Sequence, residues 1–478
     1  MKSDLPFIHL FRNMNKYFFY DVNKHKTVNI SKEVYELLQK QNQTSELSKH
    51  PFIEKLKESN FLSSNRVQSV IHPNDKLLED LLNNKLNKIN LQVTQQCNFR
   101  CSYCVYSGGY ENREHANKRM EWATAKKGID FLLNHSKDSN RINISFFGGE
   151  PLLEIGLILK CMKYVTDVTE GKKVNYSITT NGSLLNENVI TNLLKYDVNI
   201  GVSLDGPKEI HDKNRKFAAN GCGTFDSVFN NIKNLVIKFP ELKRKLLFSM
   251  VIDPTIQLNC LNEFIITEEE LFKESGIMSA FINENYKKEG VVFNRDFIKE
   301  WEYNRFRYFL HLFGKISDKN NSQLMRSSCN GLFDYIANIK KSYPPLNKEE
   351  HHAGPCIPGQ IRLFMNVDGI FYPCERVCET SEIMKIGNIN DGFDFVKIKE
   401  LLNVGKVTEE NCKNCFAFRG CTICAAMADD ANSNTFSKEL KMSACKNIKH
   451  NYEEMLKDAC TFKDLGFNSN ILQVNNIN

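Results

Sequence analysis

A chain of 478 residues is too long for one ordinary domain and points to two or three. Its 41% hydrophobic and 25% charged residues are those of a globular protein, and a net charge of +6 without a concentrated basic run leaves nucleic acid no electrostatic footprint. With no apolar run of the roughly eighteen residues a membrane span needs and no charged-then-apolar signal pattern, the expected setting is the cytoplasm, without membrane or nucleic-acid partners.

Residues 1–85 contain no cysteine and read as a small domain. Strands are expected at 17–22 and 26–30 around the turn Asn23-Lys24-His25. Ser31 caps a helix carrying Val34, Leu37 and Leu38, and a second helix starts near Pro51 with Phe52, Leu56 and Leu62 as its apolar positions. From 86 to 285 strand-like stretches (89–94, 142–147, 174–180, 198–204, 246–252, 277–282) alternate with amphipathic ones such as 123–133 and 224–239. That alternation predicts an α/β fold, a partial barrel of six parallel strands with helices outside. Working residues then belong on the loops after the strands.

Each of the first four strands ends in a marked motif. The first is followed by Cys97-Asn98-Phe99-Arg100-Cys101-Ser102-Tyr103-Cys104, the second by Gly148-Gly149-Glu150-Pro151, the third by Thr180-Asn181-Gly182, and the fourth by Ser203-Leu204-Asp205-Gly206-Pro207. A turn-only explanation covers one such motif easily and four in succession poorly. Three thiolates on one loop can hold three irons of a cubane cluster and leave the fourth open, whereas four cysteines are the usual complement.

This ordered set resembles the core of the radical S-adenosylmethionine (SAM) enzymes. The resemblance implies that Cys97, Cys101 and Cys104 ligate a [4Fe–4S] cluster whose open iron binds SAM. It places Tyr103 against the adenine, Gly148, Gly149 and Glu150 at the amino group, and Thr180 and Asn181 on the ribose side. Ser203 and Arg215 fall at the carboxylate. Asp205 is either a turn residue with Gly206-Pro207 or a ligand, and Arg215 has the alternative of an exposed helix-start charge.

Residues 286–350 read as a bridging region. Trp301, Tyr303, Phe306, Tyr308 and Phe309 suggest helix packing, and 315–328 a polar loop that covers the site. His351-His352 reads as solvated linker. Sixteen cysteines are many; none precedes Cys97, and eight fall between Cys356 and Cys445. Disulfides are rare in the cytosol, so such density predicts metal ligands. In 351–478, Cys356, Cys374, Cys412, Cys415, Cys421, Cys424 and Cys445 are spaced as in the SPASM extension of radical SAM enzymes, which carries two auxiliary [4Fe–4S] clusters. Cys421 and Cys424 are separated by two residues where three is usual. The resemblance assigns Cys412, Cys415, Cys421 and Cys445 to a distal cluster and Cys356, Cys374 and Cys424 to a nearer one. Cys378 or Cys329 fills the last place there, or the iron stays open for a substrate thiolate. A zinc ribbon is the rival for Cys412 to Cys424 taken alone. Cys161, Cys222, Cys260 and Cys460 read as buried small apolar residues.

The whole resembles radical SAM/SPASM peptide maturases, the makers of thioether bonds in sactipeptides and ranthipeptides, and related anaerobic sulfatase-maturating enzymes. The implied substrate is a cysteine-rich precursor peptide whose leader is held by a winged-helix-like N-terminal recognition domain; the other reading of residues 1–85 is a cap that only packs on the next domain. A low-potential donor such as flavodoxin or ferredoxin supplies the electron. Two alternatives stand beside this: formylglycine formation, with Glu375 in the place of that family's aspartate base, and a non-enzymatic iron–sulfur protein for electron transfer or redox sensing.

Overall fold

The computed structural model describes residues 5–40, 50–169, 171–317, 323–339 and 341–467. Strands β1 (Ile8–Asn13), β2 (Lys16–Asp21) and β3 (Lys26–Ile30) form an antiparallel sheet in that order. β1 was not expected from the sequence. The Ser31 hydroxyl accepts from Val34 N at 3.2 Å and opens the helix Lys32–Gln39, as its position implies. The next helix, Pro51–Glu58, buries Ile53 and Leu56, while Phe52 is 37% exposed and Leu62 lies beyond the helix end. Phe7, Phe11, Phe18 and Tyr20 of this sheet share one apolar core with Phe418, Tyr452 and Leu456 near the other end of the chain.

The central sheet contains β4 (Lys88–Thr94), β5 (Arg141–Gly148), β6 (Lys173–Thr180), β7 (Asn199–Ser203), β8 (Leu246–Ile252) and β9 (Gly276–Phe281), side by side in sequence order and all parallel. This is the expected α/β core. Helices such as Trp122–Asn134 and Phe225–Lys238 connect the strands. Ile142, Ile144 and Phe146 on β5 and Ile200 and Val202 on β7 are buried in the main core. The alternate row includes short residues: Ser145 pairs with Ser177, Thr179 with Gly201, and Ser203 with Ser249. Eight-stranded barrels fill their interior with bulky branched side chains; here these short residues share the row with Phe147, Leu247 and Val251.

Beyond β4 the sheet continues with β10 (Leu363–Met365), parallel to β4, and then antiparallel β11 (Ile370–Tyr372), β12 (Gly387–Asn388) and β13 (Gly392–Phe393). The cysteine-rich region is therefore hydrogen-bonded onto the strand that precedes the first cysteine motif. Strands of two or three residues carry no readable period, so the sequence did not reveal them.

Three further expectations need correction. The 315–328 stretch contains the helix Gln323–Ser328, with 318–322 outside the described residues. His351 and His352 are only 6% and 3% exposed, and His351 Nε2 accepts from Gly405 N at 2.8 Å, so they are packed and not solvated linker. Cys161 and Cys460 are buried, but Cys222 and Cys260 are exposed, on a loop and at a helix start. In the aromatic stretch, on the helix Arg295–Leu312, Tyr308 is buried while Tyr303 and Phe306 face outward. Among the described residues no helix is long and apolar enough to cross a membrane.

Candidate active site

The four strand-end motifs meet through named contacts. Phe99 N donates to Cys97 Sγ at 3.3 Å, and Cys104 N donates to Cys101 O at 3.1 Å, which curls the cysteine loop into a turn. The loop is held from outside: Arg100 N donates to Lys216 O, Ser102 N to Asn214 O and Ala218 N to Asn98 O, at 2.8 to 3.0 Å. Gly149 N and Glu150 N donate to Thr94 O and Gln96 O, both at 2.9 Å. A Cβ on Gly148 would stand 2.2 Å from Thr94 O, and one on Gly149 2.2 Å from Gln96 O. The glycine pair thus lets the end of β5 press against the cysteine loop.

Glu150 is fully buried. Its carboxylate accepts from Thr180 Oγ1 at 2.7 Å, Asn181 N at 2.7 Å and Leu152 N at 3.0 Å, so it ties the second motif to the third. Burial raises its pKa to about 7, and those three donors pull the other way. Asn181 reaches the first motif, its Nδ2 lying 2.7 Å from Asn98 Oδ1 and 3.9 Å from Cys97 Sγ. Ser203 ends β7 beside Ser249 of β8.

Arg215 is 6% exposed and not a surface charge. Its Nε and Nη2 grip the two Asp205 oxygens at 2.8 and 3.1 Å, and Nη1 stands 4.0 Å from Cys101 Sγ. Asp205 also accepts from Tyr103 OH and from Val251 N, so it is the counter-ion of Arg215 and more than a turn residue. Tyr103 lies under the Arg215 guanidinium, 5.4 Å from the ring centre. Burial pushes the Cys97 thiol up to about 12, with Cys101 and Cys104 adding to the rise. It pushes Cys101 to about 11 against the pull of Arg215. Three crowded, half-buried thiols resist ionising alone and give up their protons to a bound metal, which is the donor set an iron–sulfur cluster with one open iron needs.

In the cysteine-rich region Cys412, Cys415, Cys421 and Cys445 line one cavity together with Phe418 and Met442. Burial drives the Cys421 thiol up to about 12, the other three sulfurs contributing. Cys356, Cys374 and Cys424 form a second group, in which burial raises Cys374 to about 12 with Glu375, Cys424 and Cys356 adding. The structure does not bring Cys378 to that group. Its thiol donates to Glu111 O and lies 3.0 Å from Thr380 Oγ1. Cys329 is buried in the main core beside Ser328. Among the described residues no group of three or more His, Cys, Asp or Glu side chains is arranged to hold a single metal ion.

Glu375 is held by Asn90 Nδ2 and Arg362 Nη1, each at 2.9 Å. The neighbouring Glu379, which the sequence reading passed over, is the more buried carboxylate at 2% exposure. Its Oε1 accepts from Tyr106 OH at 2.5 Å and Gln92 Nε2 at 3.0 Å, and Oε2 is 3.1 Å from Arg113 Nε. Burial raises its pKa, with Arg113 opposing. Two signals pointed here: a glutamine in the middle of an apolar strand, and a tyrosine two residues past Cys104.

Residues 91–263 match the family model described as Radical SAM superfamily. An uncharacterized protein of Methanocaldococcus jannaschii is 39% identical over 138 residues, 29% of this chain and 45% of its own length. A cysteine-type anaerobic sulfatase-maturating enzyme of Clostridium perfringens is 25% identical over 347 residues, 70% of this chain and 88% of that one. The radical SAM cyclopropyl synthase TigE of Paramaledivibacter caminithermalis is 28% identical over 162 residues, 32% of this chain and 33% of that one. The solved structure of native anSMEcpe with bound AdoMet and Cp18Cys peptide superposes with a TM-score of 0.56 at 22% identity, over 78% of this chain and 99% of that one, a likeness of fold.

Proposed function

We propose, from the premise that residues 91–263 are a radical SAM domain, that this chain matures a ribosomally made, cysteine-containing peptide by forming thioether bonds from cysteine sulfur to carbon. Radical SAM domains bind SAM and a [4Fe–4S] cluster, which together supply a 5′-deoxyadenosyl radical able to take a hydrogen atom from an unactivated carbon. Cys97, Cys101 and Cys104 hold that cluster. The Arg215–Asp205 pair sets the loop's charge, and Glu150, Thr180 and Asn181 brace the strand ends around SAM. Each crosslink removes one C–H hydrogen and one thiol proton. One SAM serves as the two-electron oxidant and leaves as methionine and 5′-deoxyadenosine.

The observation that carries the thioether reading is the three-thiol group of Cys356, Cys374 and Cys424. Among the described residues no fourth cysteine joins it, so a cluster there keeps a coordination place for a substrate thiolate. The N-terminal sheet supports a peptide substrate: β3 pairs with a strand on one side only among the described residues, an edge where an extended leader adds as a fourth strand. The remaining four cysteines hold the second auxiliary cluster.

Formylglycine formation is the second reading. It is favoured by the similarity that spans 88% of the sulfatase-maturating relative and by Glu379, a buried carboxylate suited to take a proton through Tyr106. Mass spectrometry of a candidate cysteine-rich peptide, coexpressed with this chain, separates the two. A loss of two hydrogens per cysteine supports the thioether, and conversion of a cysteine CH2SH to an aldehyde overturns it. Truncation of residues 1–85 is expected to abolish peptide modification and to leave peptide-independent SAM cleavage intact.

A further inference from the structure

Lys441 is 1% exposed, on the long helix Lys438–Asp464 that also carries Cys445. Its ammonium donates to Val404 O at 2.8 Å and lies 3.9 Å from Cys412 Sγ. Among the described residues no carboxylate stands within ion-pair distance of it; burial weakens its hold on its proton, and the sulfurs of Cys412, Cys445 and Cys421 oppose that. A buried cation without a partner costs several kcal/mol, so a position of this kind calls for a lasting negative charge beside it. Thiols in their neutral form do not provide one. A four-thiolate iron–sulfur cluster does.

We infer that Lys441 is the built-in counter-cation of an iron–sulfur cluster held by Cys412, Cys415, Cys421 and Cys445, and that its charge raises the potential at which this cluster accepts an electron. The inference rests on reading those four cysteines as cluster ligands and is independent of whether the peptide product is a thioether. The nearer group has the opposite neighbour. The Glu375 carboxylate stands beside Cys374 and Cys356, partly offset by Arg362. Electrostatics therefore orders the two auxiliary clusters, with the distal one the more easily reduced. Lys449 lines the distal cavity too, from a half-exposed position where water screens its charge.

The test is a potentiometric titration of the full chain, reconstituted with iron and sulfide and followed by electron paramagnetic resonance. The distal signal is the one that Cys421→Ser removes. Lys441→Met is expected to move that signal to lower potential by about 59 mV, a tenfold change in its one-electron equilibrium, with iron content and the other signals unchanged. Lys441→Arg keeps the original potential, and Lys449→Met shifts it less than Lys441→Met. Loss of about four irons in Lys441→Met but not in Lys441→Arg also supports the inference, since the charge is then needed to hold the cluster. An unmoved distal signal at full iron content overturns it, and so does equal iron loss in both Lys441 variants, which assigns the residue a packing role. Zinc in place of iron, with no signal tied to Cys421, overturns it as well.

Discussion

The cysteine loop after β4 and the four-cysteine cavity near the C-terminal helix solve one electrostatic problem in two ways. Beside Cys101 the cation is Arg215, already balanced by Asp205 through two hydrogen bonds. Beside Cys412 the cation is Lys441, with no carboxylate in reach among the described residues. The first loop is charge-complete within its own side chains. The second, on the reading above, would be completed by the cluster its thiols hold. On the proposed function the difference matters because the first site would accept and release SAM at every turnover, whereas a resident cluster would act as a permanent counter-ion.

The sharpest division comes from removing one thiol at each site. Cys101→Ala is expected to abolish SAM cleavage and cost about four irons per chain, whereas Cys421→Ala loses as much iron and keeps SAM cleavage. Iron analysis and 5′-deoxyadenosine release under dithionite check both. Asp205→Asn next makes the first site resemble the second by leaving Arg215 buried and unpaired. A loss of about 3–5 kcal/mol is expected, read as a lower melting temperature of the metal-free chain. If the melting temperature is unchanged, the Arg215–Asp205 pair does not balance the loop.

Glu150 gives a pH-dependent prediction on the same side of the comparison. Its folded pKa of about 7 lies above the ordinary 4.5 because of burial. The folded chain therefore binds the proton more tightly, and its stability falls as pH rises from about 4.5 to about 7, by about 3 kcal/mol from this residue. Glu150→Gln should flatten that fall in melting temperatures measured from pH 5 to 8, and an equally steep decline in the variant would assign the effect elsewhere. The smallest effect concerns the distal side. His9 of β1 stacks on Phe416, next to Cys415, with ring centres 3.6 Å apart. His9→Ala is expected to cost about 1 kcal/mol and to leave SAM cleavage unchanged, and a shift above that range would mean the N-terminal sheet bears more of the distal loop than this contact shows.

How far the sequence revealed this molecule depended on whether the signal was local. Five of the six strands of the parallel sheet were legible because each carries a buried apolar row, as Ile142, Ile144 and Phe146 do on β5, while β9 was legible from its apolar composition although none of its residues is buried. The cysteine, glycine and Thr-Asn-Gly motifs were legible because each sits at a strand end. Partners chosen by the tertiary fold were not. That Asp205 is the counter-ion of Arg215, that Glu379 meets Gln92 and Tyr106, and that Cys378 faces Glu111 instead of the Cys356 group depend on elements distant in sequence. The family resemblance assigned cysteines to groups; it carried no information about a buried lysine on a helix that otherwise reads as polar.

The pairing of β10 on β4 has a consequence for how the protein is made. Leu363 registers with Ile89, so the strand leading into Cys97 gains its second neighbour only after most of the chain has been synthesised. At ordinary translation speeds that delay is on the order of tens of seconds. During it, one edge of the strand lies open and the thiols that follow stand on an unfinished wall. Iron insertion at the first cysteine loop is therefore expected to follow synthesis of residues 363–365, which supply the strand that completes this side of the sheet.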